Sequence, residues 1–226
     1  MGTNKKVTIT REFAAGYDKQ AREYGWFCPE LLFGLSYEYI KPGQNLLDVG
    51  IGTGLSASLF HKAGLQVYGI DGSPEMLEIC AAKNIAKDLK QHDLRDIPLP
   101  YGDGFFHHVQ ISGVFHLLGD PAPLLGETAR LLRDGGTLGF TYEQHKPGEP
   151  EGYLESGTDG IWEKINEKSG VKSFRHETEY MKNLLKTNGL VLVKELEFLA
   201  FKASPWDKEK FFQACLAQKA QAWKSA

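Results

Sequence analysis

Three acidic residues, Asp48, Asp71 and Asp93, each follow a strand-like run in the first half of this chain, and glycines crowd behind the first of them. Leu46-Leu47-Asp48-Val49-Gly50-Ile51-Gly52-Thr53-Gly54 passes from an apolar run into three glycines alternating over five positions, and a helical pattern, Leu55–Lys62, follows at once. Glycine suits such a turn because it lacks Cβ, takes positive φ and lets a ligand lie against the backbone. The unpaired N–H groups that open the next helix suit an anionic group. Gly52-x-Gly54-x-x-Ala57 also fits a dinucleotide fingerprint. Asp48 argues the other way: a carboxylate two residues before the first glycine repels a pyrophosphate and favours a cation. Its alternative role is to hold the turn through backbone hydrogen bonds.

S-Adenosylmethionine has an ammonium, a sulfonium and no phosphate, so it fits Asp48 where a dinucleotide does not. Asp71 ends the second run, seventeen residues beyond Gly54, where an acidic residue accepts from the two ribose hydroxyls of doubly wound folds. Ser73-Pro74-Glu75 reads as an N-cap, a first-turn proline and an acidic first turn. Met76 follows, where its side chain covers a flat adenine or simply fills core. Asp93 is placed to accept from an adenine amino group. A sulfonium activates its own methyl group, so the protein has mainly to align the nucleophile and exclude water. A base is needed only if the nucleophile arrives protonated. The candidates are His116, just past the fourth strand, and Glu143 and His145, leaving the fifth; each has a packing or turn role as its alternative. No metal site is expected, because His107 and His108 alternate to opposite strand faces and His116 is not at helical spacing from them.

Helical patterns over Arg11 to about Gly25 and Pro29 to Ile40 form an N-terminal flap, 1–44. Strands are expected at Asn45–Val49, Gln66–Ile70, Ala86–Gln91, Phe106–Ser112 and Thr137–Glu143. A helix runs from Gly119-Asp120-Pro121 to about Arg133, and Asp134-Gly135-Gly136 makes a turn. These βα units define a cofactor-binding half, 45–143. Right-handed crossovers give one open, doubly wound, mostly parallel Rossmann-like sheet, and ligands bind outside the carboxyl ends of its strands. Asp48, Asp71, Asp93 and Ser112 all fall near such ends. Residues 144–175 read as a lid-like insertion, with Ile161–Ile165 as a short helix. Residues 176–226 supply a helix from Glu177 to Thr187, a long strand Leu190–Lys202 and a turn at Ser204–Asp207. Phe211–Ala217 then pairs antiparallel with the long strand as the seventh, with a terminal helix as the alternative.

The 226 residues suit one such domain. Net charge is −3 with scattered basic residues, so no nucleic acid is expected. Three widely spaced cysteines without a C-x-x-C pair point to reduced thiols and a cytoplasmic setting. No apolar run reaches membrane-spanning length and no signal peptide is evident, so no membrane partner is expected.

Taken together, these blocks resemble the class I S-adenosylmethionine-dependent methyltransferases, especially the small-molecule type 11 group. Leu47–Gly54 looks like the first motif, Gly69–Leu77 the second, and Asp93-Leu94 with Ile97-Pro98 the third. Phe105–Leu118 and Leu131–Gly136 resemble the strand-four and strand-five blocks. Tyr17-Asp18 with Tyr24 is similar to the flap of relatives such as the Williams–Beuren-region methyltransferase. The resemblance implies that Asp48, Gly50, Gly52 and Gly54 meet the methionine end and Asp71 the ribose. Gly72 and Met76 would flank adenine, with Asp93 on its amino group and Leu94 beside it. Ser112 and Gly113 would lie below the sulfonium, and Tyr17 would close over the cofactor with its ring facing that cation. His107 stands where the family has aspartate, a change that costs a structural hydrogen bond while leaving cofactor binding intact.

The expected activity is methyl transfer to a small molecule. The alternatives are methylation of a protein side chain, a non-catalytic cofactor-binding assembly or sensor protein, and a nicotinamide oxidoreductase. Titration calorimetry separates the last: S-adenosylmethionine is expected to bind and NAD not to, and the reverse result overturns the reading.

Overall fold

A computed structural model of the chain describes residues 9–148, 152–167, 170–201 and 210–221. The turn expected at Ser204–Asp207 lies outside them. In chain order the helices are α1 (Arg11–Glu23), α2 (Cys28–Ser36), α3 (Leu55–Lys62), α4 (Pro74–Ala82), α5 (Ala122–Leu131) and α6 (Thr178–Thr187). The strands are β1 (Asn45–Val49), β2 (Gln66–Asp71), β3 (Asp88–Gln91), β4 (Phe106–Ile111), β5 (Leu132–Tyr142), β6 (Leu154–Glu155), β7 (Ile161–Ile165), β8 (Lys172–His176), β9 (Leu190–Phe201) and β10 (Lys210–Lys219). Thr10 starts α1 by accepting from Phe13 N–H at 3.2 Å, and Ser73 starts α4 by accepting from Met76 N–H. A 3-10 turn at Tyr37–Tyr39 takes the place of the last helical turn expected before Ile40.

Seven strands form one sheet in the order β3-β2-β1-β4-β5-β10-β9. β1 to β5 run parallel, and β10 is antiparallel to both its neighbours, β5 and β9. Phe211–Ala217 is therefore strand, and the terminal-helix alternative falls. Both faces of the sheet are covered, which is why its strands read as unbroken apolar runs. Adjacent leucines of β1 show this: Leu46 joins Phe60 and Val67 under α3, while Leu47 joins Phe106, Phe140 and Leu125 on the α5 face. Burying each such leucine stabilises the fold by roughly 1.5–3 kcal/mol. α2 lies across β10 and β9 through Leu32, Phe198 and Phe212. The β9–β10 ladder slips by one residue between Lys210 and Phe211, so that Ala200 of β9 has no counterpart.

Three local expectations need correction. Asp134-Gly135-Gly136 is no separate turn: α5 gives way directly to β5, and this trio is an irregularity inside it, where the register to β4 shifts between Phe106 and His108. Ile161–Ile165 is a strand. Its isoleucines stand four apart, as on a helix, but five residues are too few to nucleate one without tertiary support. All five pair with β8 instead. His107 does not leave a structural bond unmade, since its Nδ1 accepts from Asn45 N–H at 3.2 Å.

The insertion is thus a small antiparallel sheet, β6-β7-β8, folded onto the main one. His176 N–H donates to Glu143 O and His145 N–H to His176 O, both at 3.0 Å, so β8 runs alongside the exit of β5. Phe174 packs over Gly119, and Trp162 Nε1 donates to Glu177 Oε1 at 3.0 Å. Gly160 enters β7 with φ +79°, and a Cβ there would lie 2.5 Å from Tyr180 Cβ. Gly157 has φ +88° with open space around it. An alanine at either position bears a left-handed penalty of about 1–2 kcal/mol. Only Gly160→Ala must also displace α6, so its urea midpoint should fall further than that of Gly157→Ala. Equal midpoints would mean that the insertion is not held against α6.

Candidate functional site

β1 opens into the glycine turn at the carboxyl edge of the sheet. Gly50, Gly52 and Gly54 have φ of +76°, +53° and +83°. A Cβ at Gly50 would lie 2.5 Å from Val114, and one at Gly54 would lie 2.7 Å from Ile85. At Gly52 it would meet only the turn itself, at 4.0 Å. The outer glycines are therefore required by packing, and the middle one leaves its face open to a ligand. Asp71 fastens this turn to the next corner: Oδ2 accepts from Gly52 N–H and Oδ1 from Ser73 N–H, each at 2.8 Å. Burial raises its pKa, opposed by the N–H groups of Ser73, Gly52 and Gly72. Each oxygen keeps a further lone pair for a hydroxyl donor.

Asp48 is almost wholly buried, at 1% exposure. Its Oδ2 accepts from Gln110 Nε2 at 2.7 Å. Its Oδ1 is buried with no hydrogen-bond partner among the described residues. Burial pushes the carboxyl up to about 7, against the Gln110 bond and a weaker pull from the Ala57 N–H, which falls short of a formed hydrogen bond, and with the nearby Asp71 adding to the rise. A carboxylate with one oxygen unmatched is the complement of an ammonium group, which brings both charge and donors.

The flap is clasped to the turn by a residue whose contact sequence reasoning missed. Asp18 of α1 accepts from Thr53 Oγ1 at 2.5 Å and pairs with Lys83 at the end of α4, also at 2.5 Å. The only signal was a Tyr-Asp pair on an amphipathic helix. Beside it, burial pushes the Tyr17 hydroxyl up to about 12, with Cys28, Asp18 and Asp71 facing it. Tyr17 therefore overhangs the corner between β1 and β2.

On the far side, Met76 is buried, and Gly72 lies close to the backbone of His92. Both oxygens of Asp93 accept from Arg95, at 2.9 and 2.7 Å, so any further donor shares this carboxylate with a guanidinium. Leu94 packs on the main core and reaches within 3.6 Å of a Cβ at Gly50.

At the exit of β4, Gly113 N–H donates to Thr141 Oγ1 at 2.9 Å, and Ser112 Oγ lies 3.0 Å from the buried Cys28 Sγ. Trp26 covers Gly113, stacks on Phe201 with centroids 4.8 Å apart and meets Phe212 edge-on. Phe212 in turn meets His116 at 5.5 Å. His116 Nδ1 is buried without a partner among the described residues, and burial pushes the ring down to about 4. Glu143 is 2% exposed and ion-paired, with Arg175 at 2.8 Å and Lys210 at 3.4 Å. His145 stacks on Trp162, centroids 3.8 Å apart. The structure thus brings His116 and Glu143 into one cluster and sets His145 in the roof above it. Arg175, Lys210, Thr141 and Cys28 were not legible as site residues, since each comes from a different segment with no motif around it.

Residues 47–140 match the family model of a methyltransferase domain. The malonyl-(acyl-carrier protein) O-methyltransferase of Serratia marcescens is 30% identical over 131 residues, covering 57% of this chain and 48% of that protein. The chain spans about half or less of the length of the curated relatives it matches. A solved S-adenosylmethionine-dependent methyltransferase from Methanosarcina mazei superposes with a TM-score of 0.70 at 15% identity, over 83% of this chain and 98% of that one. The Burkholderia thailandensis 1,6-didemethyltoxoflavin-N1-methyltransferase, solved with 1,6-didemethyltoxoflavin and S-adenosylhomocysteine bound, gives 0.68 at 13% identity over 96% and 94%. At such identities the two structures speak for the fold alone. Fold and motif blocks agree with the match to a methyltransferase domain over residues 47–140, and there the chain is similar to the S-adenosylmethionine-dependent methyltransferases.

Proposed function

We propose that this chain binds S-adenosylmethionine along the carboxyl ends of β1 to β4 and transfers its methyl group to a small-molecule nucleophile. The observation that carries the reading is the unmatched Oδ1 of Asp48, buried beside an open glycine turn. Asp48 and the turn of Gly50, Gly52 and Gly54 would hold the methionine end, and Asp71 the ribose. Gly72, Met76 and Leu94 would enclose the adenine, with Asp93 accepting from its amino group. Ser112 and Gly113 would support the sulfonium from below while Tyr17 closes over it. Bound there, the cofactor supplies a methyl group that is already activated. The chain's own part is alignment and the exclusion of water, by the flap clasped through Asp18 and the roof of β6 to β8.

A small acceptor is supported by that roof, which covers the exits of β4 and β5. It is also supported by the relative named for O-methylation of malonyl-(acyl-carrier protein). The buried free thiols Cys28, Cys80 and Cys215 suit a reducing cytoplasm. No helix of the described residues is long and apolar enough to cross a membrane.

Asp71→Ala removes an acceptor from both the turn and the ribose. Its affinity for S-adenosylmethionine should fall by about 1–3 kcal/mol in calorimetry, and an unchanged affinity would remove Asp71 from the site.

Asp48 gives a pH signature. Its carboxyl rises from 3.8 to about 7 on folding, so between those values the folded chain binds a proton that the unfolded chain has lost. This group's contribution to the stability of the ligand-free protein therefore falls as pH rises from about 4 to about 7. Asp48→Asn should flatten that part of the profile. An ammonium beside Asp48 favours its ionised form, so cofactor affinity should gain more between about pH 6 and 8 in the parent than in Asp48→Asn. Parallel profiles for the two proteins would assign the titration elsewhere.

A further inference from the structure

One row of residues crosses the sheet just below the glycine turn: Gly69 of β2, Asp48 of β1, Gln110 of β4 and Gly139 of β5, each in register with the next. The two outer members bring no side chain. A Cβ at Gly69 would lie 2.4 Å from Ile51, and one at Gly139 would meet Ser36 Oγ at 3.6 Å and Leu32 at 3.8 Å. The Ser36 hydroxyl already donates to Leu32 O at 2.8 Å. Asp48 and Gln110 are therefore a polar pair between flanks that offer them no donor, and each is 1% exposed.

The pair is only half satisfied. Gln110 Nε2 donates to Asp48 Oδ2 at 2.7 Å. An ionised carboxylate can only accept, so the amide must turn its NH2 toward Asp48 and its carbonyl away. Gln110 Oε1 is buried with no partner among the described residues, and so is Asp48 Oδ1. Buried polar atoms are nearly always hydrogen-bonded, so two open acceptors on one bonded pair mark a shared demand for donors. As a prop for Asp48 alone Gln110 is a poor choice, because one end meets the carboxylate while the other adds a second unmatched oxygen. Among the described residues, the titrating groups that face Asp48 are Asp71 and the thiols of Cys28 and Cys80, none of them a cation.

Resting on the reading that S-adenosylmethionine binds at this edge, we infer that Gln110 is a further cofactor-recognition residue, whose Oε1 joins Asp48 Oδ1 in seating the ammonium of the methionine end. An ammonium brings three donors and one positive charge, so it meets both open oxygens and the carboxylate together. The Nε2 bond holds the carboxylate against the amide before the cofactor arrives, so the seat is organised in advance. It selects for a free amine, since a ligand whose amine is acylated or absent leaves buried acceptors unmatched. A buried water could also donate to both oxygens, and it differs from the ammonium in one respect: it does not belong to the cofactor.

The test titrates the full chain with S-adenosylhomocysteine and with its deamino analogue, which carries hydrogen in place of the ammonium. It is run above the value of about 7 to which burial pushes Asp48, so that the carboxylate is ionised. The parent is expected to prefer S-adenosylhomocysteine by about a hundred-fold, the worth of two charge-assisted contacts. In Gln110→Met, similar in length but without the oxygen, that preference should shrink by about ten-fold while the deamino analogue binds as it does to the parent. A second readout needs no substitution: the 13Cδ resonance of Gln110, assigned through its backbone, should move with S-adenosylhomocysteine and stay in place with the deamino analogue. A residue that only props Asp48 would not give that difference. A preference unchanged in Gln110→Met, or a Gln110 carbonyl that responds alike to both ligands or to neither, would overturn the assignment and leave the two oxygens to a water. Failure of S-adenosylhomocysteine to bind the parent would instead overturn the cofactor reading beneath it.

Discussion

A carboxylate taken out of water costs several kcal/mol unless donors or cations meet it, and four such groups crowd the carboxyl edge of this sheet. Asp71 is met by backbone N–H groups from two corners, which fixes the glycine turn against the start of α4. Asp18 is met by Thr53 and Lys83, which fixes the flap against that same turn. Glu143 is met by Arg175 and Lys210, which ties the insertion and β10 to the end of β5. Asp48 alone keeps an oxygen unmatched. The three satisfied groups hold the site together; the fourth leaves a demand that a ligand can meet.

The residues proposed for the cofactor could be named from the sequence because their strands, turns and caps are local. The strand before the glycines, the spacing to Asp71 and the Ser73-Pro74 cap each sit within a few residues, so pattern and turn chemistry give them away. The limits of β1 matched to the residue, and those of β2 and β4 to within one. The cluster around Glu143 was not legible, because its parts meet only through tertiary packing. Glu143, Arg175 and Lys210 come from three strands far apart in sequence, and nothing near any of them marks a partner. Two local misreadings have the same origin. The isoleucine spacing of Ile161–Ile165 imitated a helix until pairing with β8 overruled it. Asp134-Gly135-Gly136 has turn composition, yet neighbouring strands carry β5 through it as an irregularity.

The two covers over the sheet differ physically. Within the flap, α1 lies against α4 and is held by polar contacts at the glycine turn, while α2 is packed through Cys28 and Leu32 on β9 and β10. The roof stands over the opposite half and is held by backbone hydrogen bonds to the β5 exit, a Trp162–Glu177 bond and Phe174 over Gly119. A polar clasp exchanges readily with water, whereas a backbone ladder with aromatic packing does not. The α1 segment is thus the readier of the two to open, and the roof the more firmly fixed.

The aromatic wall beside His116 depends on a defect. Phe198 and Phe201 stand three apart on β9, and in an unbroken pleat they would point to opposite sides. Both nevertheless lie against Phe212, with centroids 6.4 and 6.5 Å away, and Phe201 also stacks on Trp26. The unmatched Ala200 reverses the parity of the strand between them. One inserted residue thus converts a two-sided strand into a one-sided aromatic surface. A homologue one residue shorter there would keep every aromatic in its sequence and still turn one of them away from Phe212.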